Sequence, residues 1–595
     1  MHQGIIFISR LRYETFQKTS SILFLTAITV SFLVSCKGTD PIDEPLIKTN
    51  LVAKFASASF DVDPDNTIDL PFTITGVEGA VLSVTASSSN PDATVKVSID
   101  ADYQGEVTFK APSFSDGSAV TVTLNVNDPV NKRETTATTS VNVTESDPLT
   151  LTISSDIKSV SVRAGGKVSI PFTVGGATTK VTPTVSANNG WSATATVEND
   201  NKTGEIVLTA PASVGTSVKV DLTIKDEKNR EASFSQEFSV VEISSAANAA
   251  NCFIVKPGES VTISAVEGNS TKKIIFNSAS LVWEDEIGLI AGVGGNDTEG
   301  VVVVKTNSGK TGNAVVAAKQ DGVIVWSWHV WVTDYDPSKD VFAWTDAGDV
   351  TYTFMDRDLG ARSNEKYSSD AFGLFYQWGR KDPFASPESL TSSTQRKTYD
   401  ADGNRVYLES RVRPVFPDHT TTALDSAIQH PTVFYTAPSS AWPVVDWLTD
   451  EAGLQDNDLW GGISGVKSKY DPCPTGWKVP KSGAPWGFRS QYKKEGKLTD
   501  GSKYDPTYPW YAEYEDAYCI GFRYKDTSGK EFWFPWAGHI NCNNGKLQSI
   551  GGGGQTHTAS VSGNLCVIET FAWGNPASEA QLNRPYGSNV RCIKE

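Results

Sequence analysis

The stretch "IDLPFTITG" (68–76) returns one hundred residues later as "VSIPFTVGG" (168–176). Two further pairs follow in the same order. "GEVTFKAP" (105–112) matches "GEIVLTAP" (204–211), and "NVNDPVNKRE" (125–134) matches "TIKDEKNRE" (223–231). A period near 100 residues is too long for a solenoid unit of ~20–50 residues, but it suits one whole β-sandwich domain. Within each copy, runs such as "AVTVTLNV" and "SVKVDLTI" alternate apolar and polar residues with period two, broken by Gly, Asn and Asp turns. Such alternation buries one face of a strand and wets the other. The repeat therefore predicts two immunoglobulin-like sandwiches, residues 51–145 and 146–242. Neither contains cysteine, so each must be held by its apolar core alone.

The N-terminus sets the compartment. Arg10, Arg12 and Lys18 precede the apolar run "SILFLTAITVSFLV" (21–34), which is short for a membrane span of ~20 residues. This is the pattern of a signal peptide. The run closes on "LVSC", which resembles the lipobox of bacterial lipoproteins and implies that Cys36 is lipidated and becomes the mature N-terminus. Residues 1–36 are thus read as a lipoprotein signal peptide. Residues 37–50, polar and carrying two prolines, are read as a tether. Acidic residues close behind Cys36 loosely resemble the signal that sends Bacteroides-group lipoproteins to the outer face of the outer membrane.

The chain of 595 residues carries a net charge of -17. It has no basic stripe that would neutralise phosphates, which argues against nucleic acid as a partner. Two end-to-end sandwiches, each ~13 Å in radius of gyration, would make a stalk reaching about 70 Å from the membrane.

Beyond the repeat the composition changes: 15 of the 16 tryptophans lie past residue 282. Residues 243–335 read as a β-rich domain. In its "VWSWHVW", Trp326 and Trp328 share one strand face while His329 and Trp331 share the other, as in a central strand buried on both sides. "SGKTGN" (308–313) lacks the first glycine of a phosphate loop, because Val304 stands in its place. The last 260 residues, 336–595, mix loops with short helix signals at 425–434 and 443–454.

Without Cys36, six cysteines remain, at 252, 473, 519, 542, 566 and 592. An even number in an oxidising space points to disulfides. Cys592 in the terminal strand is the expected partner of Cys473 in "YDPCPTGWKVP" (470–480), a bridge that would close a long loop. Cys542 with Cys566 is the next candidate pair, which leaves Cys252 and Cys519 free or joined.

"FMDRDLGA" (354–361), "GLFYQWGRKDPF" (373–384), "YDPCPTGWKVP" and "GSNVRC" (587–592) together resemble the Fibrobacter succinogenes major paralogous (FISUMP) domain of Bacteroides-group and Fibrobacter surface lipoproteins. "ANCFIV" and "WSWHVWVTDYDP" resemble the segment that often precedes it. The resemblance implies a C-type-lectin-like fold with a small twisted sheet, two helices and a long excursion of loops. The expected fold class is then multidomain: N-terminal all-β immunoglobulin-like sandwiches, a β-rich domain, and a C-terminal α+β C-type-lectin-like domain. It implies an adhesin, a pilus component or a glycan-binding lipoprotein, with a glycan or a host or partner surface protein as partner.

The calcium-dependent sugar motifs of that fold are absent, and no other cofactor is expected. Calcium is considered only at "LQDNDLW", through Asp456, Asn457 and Asp458. Sugars can instead lie on flat aromatic faces. "YDPTYPWYAEYEDAY" (504–518) supplies Tyr508, Trp510, Tyr511, Tyr514 and Tyr518, interleaved with Glu513, Glu515 and Asp516. These are the ligand-binding candidates, with a core-filling role as the alternative. No Gly-x-Ser-x-Gly or His-Glu-x-x-His motif occurs and the six histidines are scattered, so an enzyme is not expected.

Overall fold

The computed structural model describes residues 49–595 except 347, 415–420, 438–444, 450, 452, 491, 495–496, 499–509, 514–520, 527–530 and 573–574. Its contacts divide the chain into two compact units: the chain through Asp61 with Thr67–Lys110 and Ala119–Asn142, and Val62–Asn66 with Ala111–Ser118 and Val143–Glu595. The fold is mostly β-sheet, and its N-terminal part consists of sandwiches.

In the first sandwich one sheet runs Val52–Phe55, Thr67–Thr75, Gln104–Lys110, Thr94–Ile99 and the other Ser59–Val62, Arg133–Val143, Val120–Asp128, Ser83–Ser88. The period-two pattern becomes a core: Leu70, Phe72 and Ile74 of one sheet, and Val122, Leu124 and Val126 of the other, are buried. The second sandwich repeats the plan. Ser192–Val197, Thr203–Thr209, Lys167–Gly175, Thr150–Thr152 form one sheet, and Ser159–Val162, Glu231–Glu242, Ser217–Asp226, Val181–Ala187 the other. Ile170, Phe172, Ile206 and Leu208 pack with Val218, Val220, Leu222 and Phe238 in one cluster. Each such side chain, once buried, contributes about 1.5–3 kcal/mol.

The repeated motifs have local physical reasons. Phe72 pairs across the sheet with Gly105, and Phe172 with Gly204. A Cβ on Gly105 would lie 2.5 Å from Phe72 Cζ, and one on Gly204 2.3 Å from Phe172 Cζ, so only glycine leaves room for the ring. Pro71 and Pro171 sit mid-strand, where a missing N–H usually costs a ladder bond. Both lie just beyond the end of the short neighbouring strand, whose register stops at Phe72 in the first sandwich and Thr173 in the second. The third motif closes a hairpin with an ion pair, Arg133 to Asp128 at 2.7 Å and Arg230 to Asp226 at 2.8 Å. Burial acts to raise the Asp128 carboxyl, but bonds from Arg133 and Asn131 outweigh it and bring it down to about 2.

Residues 243–335 form two sheets. The first, Ala246–Ala247, Ser260–Ser264, Val301–Thr306, Ile290–Asn296, rests on the second sandwich. Buried Asn296 donates from Nδ2 to the carbonyls of Ser161 (3.0 Å) and Lys167 (2.8 Å), and Arg163 pairs with Glu299 at 2.7 Å. The second sheet runs Cys252–Val255, Val323–Val332, Gly312–Gln320, Ser278–Glu284 and then takes the hairpin Thr398–Tyr399, Arg405–Val406 from the C-terminal region. Trp326, Trp328, His329 and Trp331 are all buried, as a central strand requires. The C-terminal region therefore contributes strands to its neighbour's sheet. A second tie is Asn251, whose Nδ2 donates to the carbonyls of Lys469 (2.7 Å) and Asp471 (2.9 Å) while its Oδ1 accepts from Trp326 Nε1 (3.2 Å).

The C-terminal region is built from several small sheets and, among the described residues, one α-helix, Thr421–Gln429. Two 3-10 turns, Ser369–Ala371 and Ala484–Ser490, are the other helical elements among the described residues there. The helix expected at 443–454 is not formed in its described part. Asp446 Oδ1 accepts the N–H of Leu448 (3.0 Å) and Thr449 Oγ1 that of Glu451 (3.2 Å), local turns that compete with helix.

Candidate functional site

The C-terminal region is tied at its end. A sheet of Val341–Thr345, Thr351–Met355, Ile593–Lys594 and Trp477–Lys478 sets Trp477 opposite Lys594. That register brings Cys473 and Cys592 together, with Cα atoms 6.0 Å apart, in a disulfide 119 residues in span. Asp471 shapes the turn: its two oxygens accept the N–H groups of Cys473 (2.8 Å) and Val479 (2.9 Å). Burial pushes its carboxyl up to about 6, against the pull of Lys467 and those N–H groups.

The proposed Cys542–Cys566 bridge does not form. Cys542 follows the strand His539–Ile540, whereas Cys566 lies in Leu565–Ala572 of another sheet, its Sγ directed at the Leu582 carbonyl (3.3 Å). Cys252, Cys542 and Cys566 are buried free thiols. Burial pushes the Cys566 thiol up to about 12, so these groups are poor nucleophiles. Cys519 and Cys36 lie outside the described residues.

The motifs quoted above fasten the scaffold. In "QWGRKDPF", Arg380 donates to the carbonyls of Val433 (2.6 Å) and His430 (2.9 Å) at the end of the helix, where a cation is favourable. Lys381 pairs with Asp382 at 2.6 Å and donates to Ser327 Oγ at 2.6 Å, both inside the protein. Arg357 grips Asp356 at 2.7 Å. Arg591, fully buried, pairs with Asp358 at 2.8 Å and lies 3.7 Å over the Phe534 ring. Asp356 and Asp358 are thus spent on guanidinium groups.

The same holds for the calcium candidates. Arg584 donates to Asn457 Oδ1 and to the Asp456 carbonyl (3.1 Å), so a guanidinium occupies the place a cation would need. Asp456 Oδ1 accepts the Asp458 N–H (2.8 Å), and Asp458 Oδ1 accepts from Ile463 N–H (3.0 Å), Ser464 N–H (2.9 Å) and Ser464 Oγ (3.1 Å). The three side chains form a loop brace instead of converging, and among the described residues no group of three or more His, Cys, Asp or Glu could hold a metal ion.

Of the aromatic candidates, Tyr508, Tyr514 and Tyr518 lie outside the described residues. Trp510 and Tyr511 fall in the strand Trp510–Glu513, opposite Asp526 and Lys525 of Gly521–Asp526.

What the sequence reading missed is a cleft of about 380 Å³. One wall is Ser393–Arg396 with the hairpin residues Thr398, Arg405, Val406, Tyr407 and Leu408; the other is Gly545–Leu547. The second wall closes against the strand Glu409–Val412, since a Cβ on Gly545 would meet Ser410 Oγ at 1.9 Å. Leu547 is buried at the base, and Tyr407 stands 71% exposed. The signal available in sequence was the basic pair "QRK" and "NRVY" in an acidic chain. Its third cation, Lys546, is about 140 residues away in sequence and is brought in only by the fold.

No family model and no curated protein matches the chain. Solved structures similar to parts of it include the titin domains Z1Z2 in complex with telethonin, 16% identical over 33% of this chain and 100% of that one, TM-score 0.21. The human desmocollin-1 ectodomain is 10% identical over 48% of this chain and 59% of that one, TM-score 0.17. Protocadherin gamma B2 extracellular cadherin domains 1–5 are 14% identical over 48% and 61%, TM-score 0.16. Among the described residues no helix is long and apolar enough to cross a membrane.

Proposed function

We propose that this chain is a cell-surface lipoprotein of the FISUMP type, anchored in the outer membrane through lipidated Cys36. Its C-type-lectin-like C-terminal region binds glycan or a partner surface. The observation that carries the binding role is the solvent-open cleft walled by hydroxyl, amide, cationic and tyrosine side chains, a lining suited to a polar, ring-shaped ligand. The anchor rests on the basic residues, the apolar run and "LVSC" in the first 36 residues. A pilus-tip subunit, matured by cleavage after an arginine, is the alternative reading. The first arginine past Cys36 is Arg133, which begins the strand Arg133–Val143 and is locked to Asp128. Cleavage there would cut the first sandwich, which favours the retained anchor.

Binding of the chain from residue 37 onward to a broad glycan array, with and without a calcium chelator, tests the reading. Chelator-resistant binding is the expected result, and no binding to any glycan would sink the lectin role. For the anchor, incorporation of labelled fatty acid into the full chain should be abolished by Cys36→Ala.

A further inference from the structure

We propose that the cleft between the Thr398–Val406 hairpin and the Gly545–Leu547 wall binds an acidic saccharide, one carrying a carboxylate or a sulfate. This rests on the glycan-binding reading and assigns it a site and a ligand class.

The cleft is cationic in an acidic chain. Its lining holds Arg396, Arg405 and Lys546 and no Asp or Glu, in a chain of net charge -17. Arg396 is neutralised by Asp370 at 2.6 Å. Among the described residues, Arg405 and Lys546 make no ion pair; of the carboxylates in and after the hairpin, Asp400 is held by Asn404, Asp402 by Lys158 and Glu409 by Arg411. Two like charges facing one groove without a counter-charge repel each other, and an anion between them removes that cost. Arg405 presents a planar fork that matches carboxylate or sulfate oxygens two at a time, while Lys546 acts as a point charge.

The rest of the lining suits a sugar ring. Tyr407 is largely exposed and lies beside Arg405, 5.2 Å from guanidinium carbon to ring centroid. That contact steadies both groups and leaves ring surface for sugar C–H bonds. Ser393 and Thr394 supply hydroxyls, and Leu547 with Leu408 gives the groove an apolar base. The volume, about 380 Å³, falls at the small end of ligand clefts, which run from roughly 300 to 1,000 Å³. A nucleic acid is disfavoured, because a groove of about 380 Å³ with two unpaired cations offers no track along a backbone charged every ~1.7 Å of duplex.

The test uses the chain from residue 37 onward with three probes: oligogalacturonate for the carboxylate, a chondroitin sulfate oligosaccharide for the sulfate, and a neutral galactan oligosaccharide. Arg405→Ala/Lys546→Ala and Tyr407→Ala alter exposed side chains, and unchanged melting temperatures verify that the fold is kept. We expect one or both acidic probes to bind, binding to weaken as salt is raised, and the double variant to lose at least tenfold in affinity. The stronger of the two acidic arms identifies the anionic group. Acidic binding that the double variant retains, or binding to the neutral probe alone, would overturn the cleft assignment and leave the glycan reading standing. No binding to these probes or to a broad array would overturn both.

Discussion

The second sandwich and the C-terminal region are both β-rich, yet they are held together by different physics. In the sandwich, alternate residues of each strand meet alternate residues of the facing sheet, and one apolar cluster results. Its ion pairs sit at hairpin ends or on the surface, as in Arg230–Asp226 and Lys225–Glu231. In the C-terminal region, Trp378, Trp447, Trp460, Trp486 and Trp536 are fully buried together with Arg584 and Arg591. Their partners lie far away in sequence: Arg591 reaches Asp358, and Trp378 Nε1 donates to the Thr558 carbonyl at 3.0 Å. A sandwich strand needs only its neighbours in the sheet. A loop-rich region must satisfy its buried backbone with long-range polar side chains and close its ends covalently.

The disulfide is the strongest place to break that contrast. With 119 residues between its ends, the chain-entropy model gives the Cys473–Cys592 bridge about 5 kcal/mol. Calorimetry of the whole chain should show the C-terminal transition falling sharply on addition of reductant, while that of the cysteine-free first sandwich stays in place. Equal shifts in both would contradict the contrast. Next comes Arg591→Ala, which leaves Asp358 buried and unpaired; losing one partner of such a pair costs roughly 3–5 kcal/mol. Arg230→Ala in the sandwich also bares a buried carboxylate, but Asp226 keeps the N–H groups of Lys228 (3.0 Å) and residue 230 (2.9 Å), so urea unfolding should show a smaller loss.

The contrast also explains what the sequence discloses. The sandwiches are legible because their interactions are local: period two marks the buried face, and "PFT" with "GE" marks a ring over a glycine. The motifs "QWGRKDPF" and "VRC" are recognisable as strings, but the string does not say that Arg380 ends a helix or that Arg591 meets Asp358. Nor does it show that Arg584 takes the oxygen of Asn457 that a calcium ion would have needed. Asp446 in "PVVDWLTDEAGL" likewise reads as a helix residue until its side chain is seen to form a turn. The cleft was illegible for the same reason, since Arg405 and Lys546 become neighbours only through the sheet and loop that carry them.

Acid sharpens the comparison further. The sandwiches contain no histidine, whereas the region beyond residue 243 buries His329 and His557. Burial brings His329 down to about 3 and His557 to about 4. His557 Nε2 bonds the Tyr376 carbonyl at 3.0 Å, which fixes it as the protonated nitrogen of a neutral ring. The folded protein then holds fewer protons than the unfolded chain between pH 6.5 and 4, so stability is full above 6.5 and drains as pH falls. Asp471, raised to about 6, opposes this, because its carboxyl favours the folded state as it protonates. Comparison with His557→Gln isolates one term: the wild type should lose up to about 1.4 kcal/mol more per pH unit across that window. Parallel pH profiles in chemical denaturation would show that His557 titrates normally.

The smallest effect tests whether the two sandwiches are physically the same module. Gly105 and Gly204 occupy matching positions, each beneath the ring of its cross-strand phenylalanine. A methyl group at either would meet Phe72 or Phe172 and also a backbone carbonyl, that of Ser98 or Thr196, each at 2.5 Å. The ring can rotate away only by leaving the core position it fills, and the carbonyl is fixed by the sheet, so overpacking of about 1–3 kcal/mol is expected. If the repeat is one design used twice, Gly105→Ala and Gly204→Ala should lower stability by similar amounts in urea unfolding. A loss at one position and none at the other would mean that the shared "GE" hides two different packings.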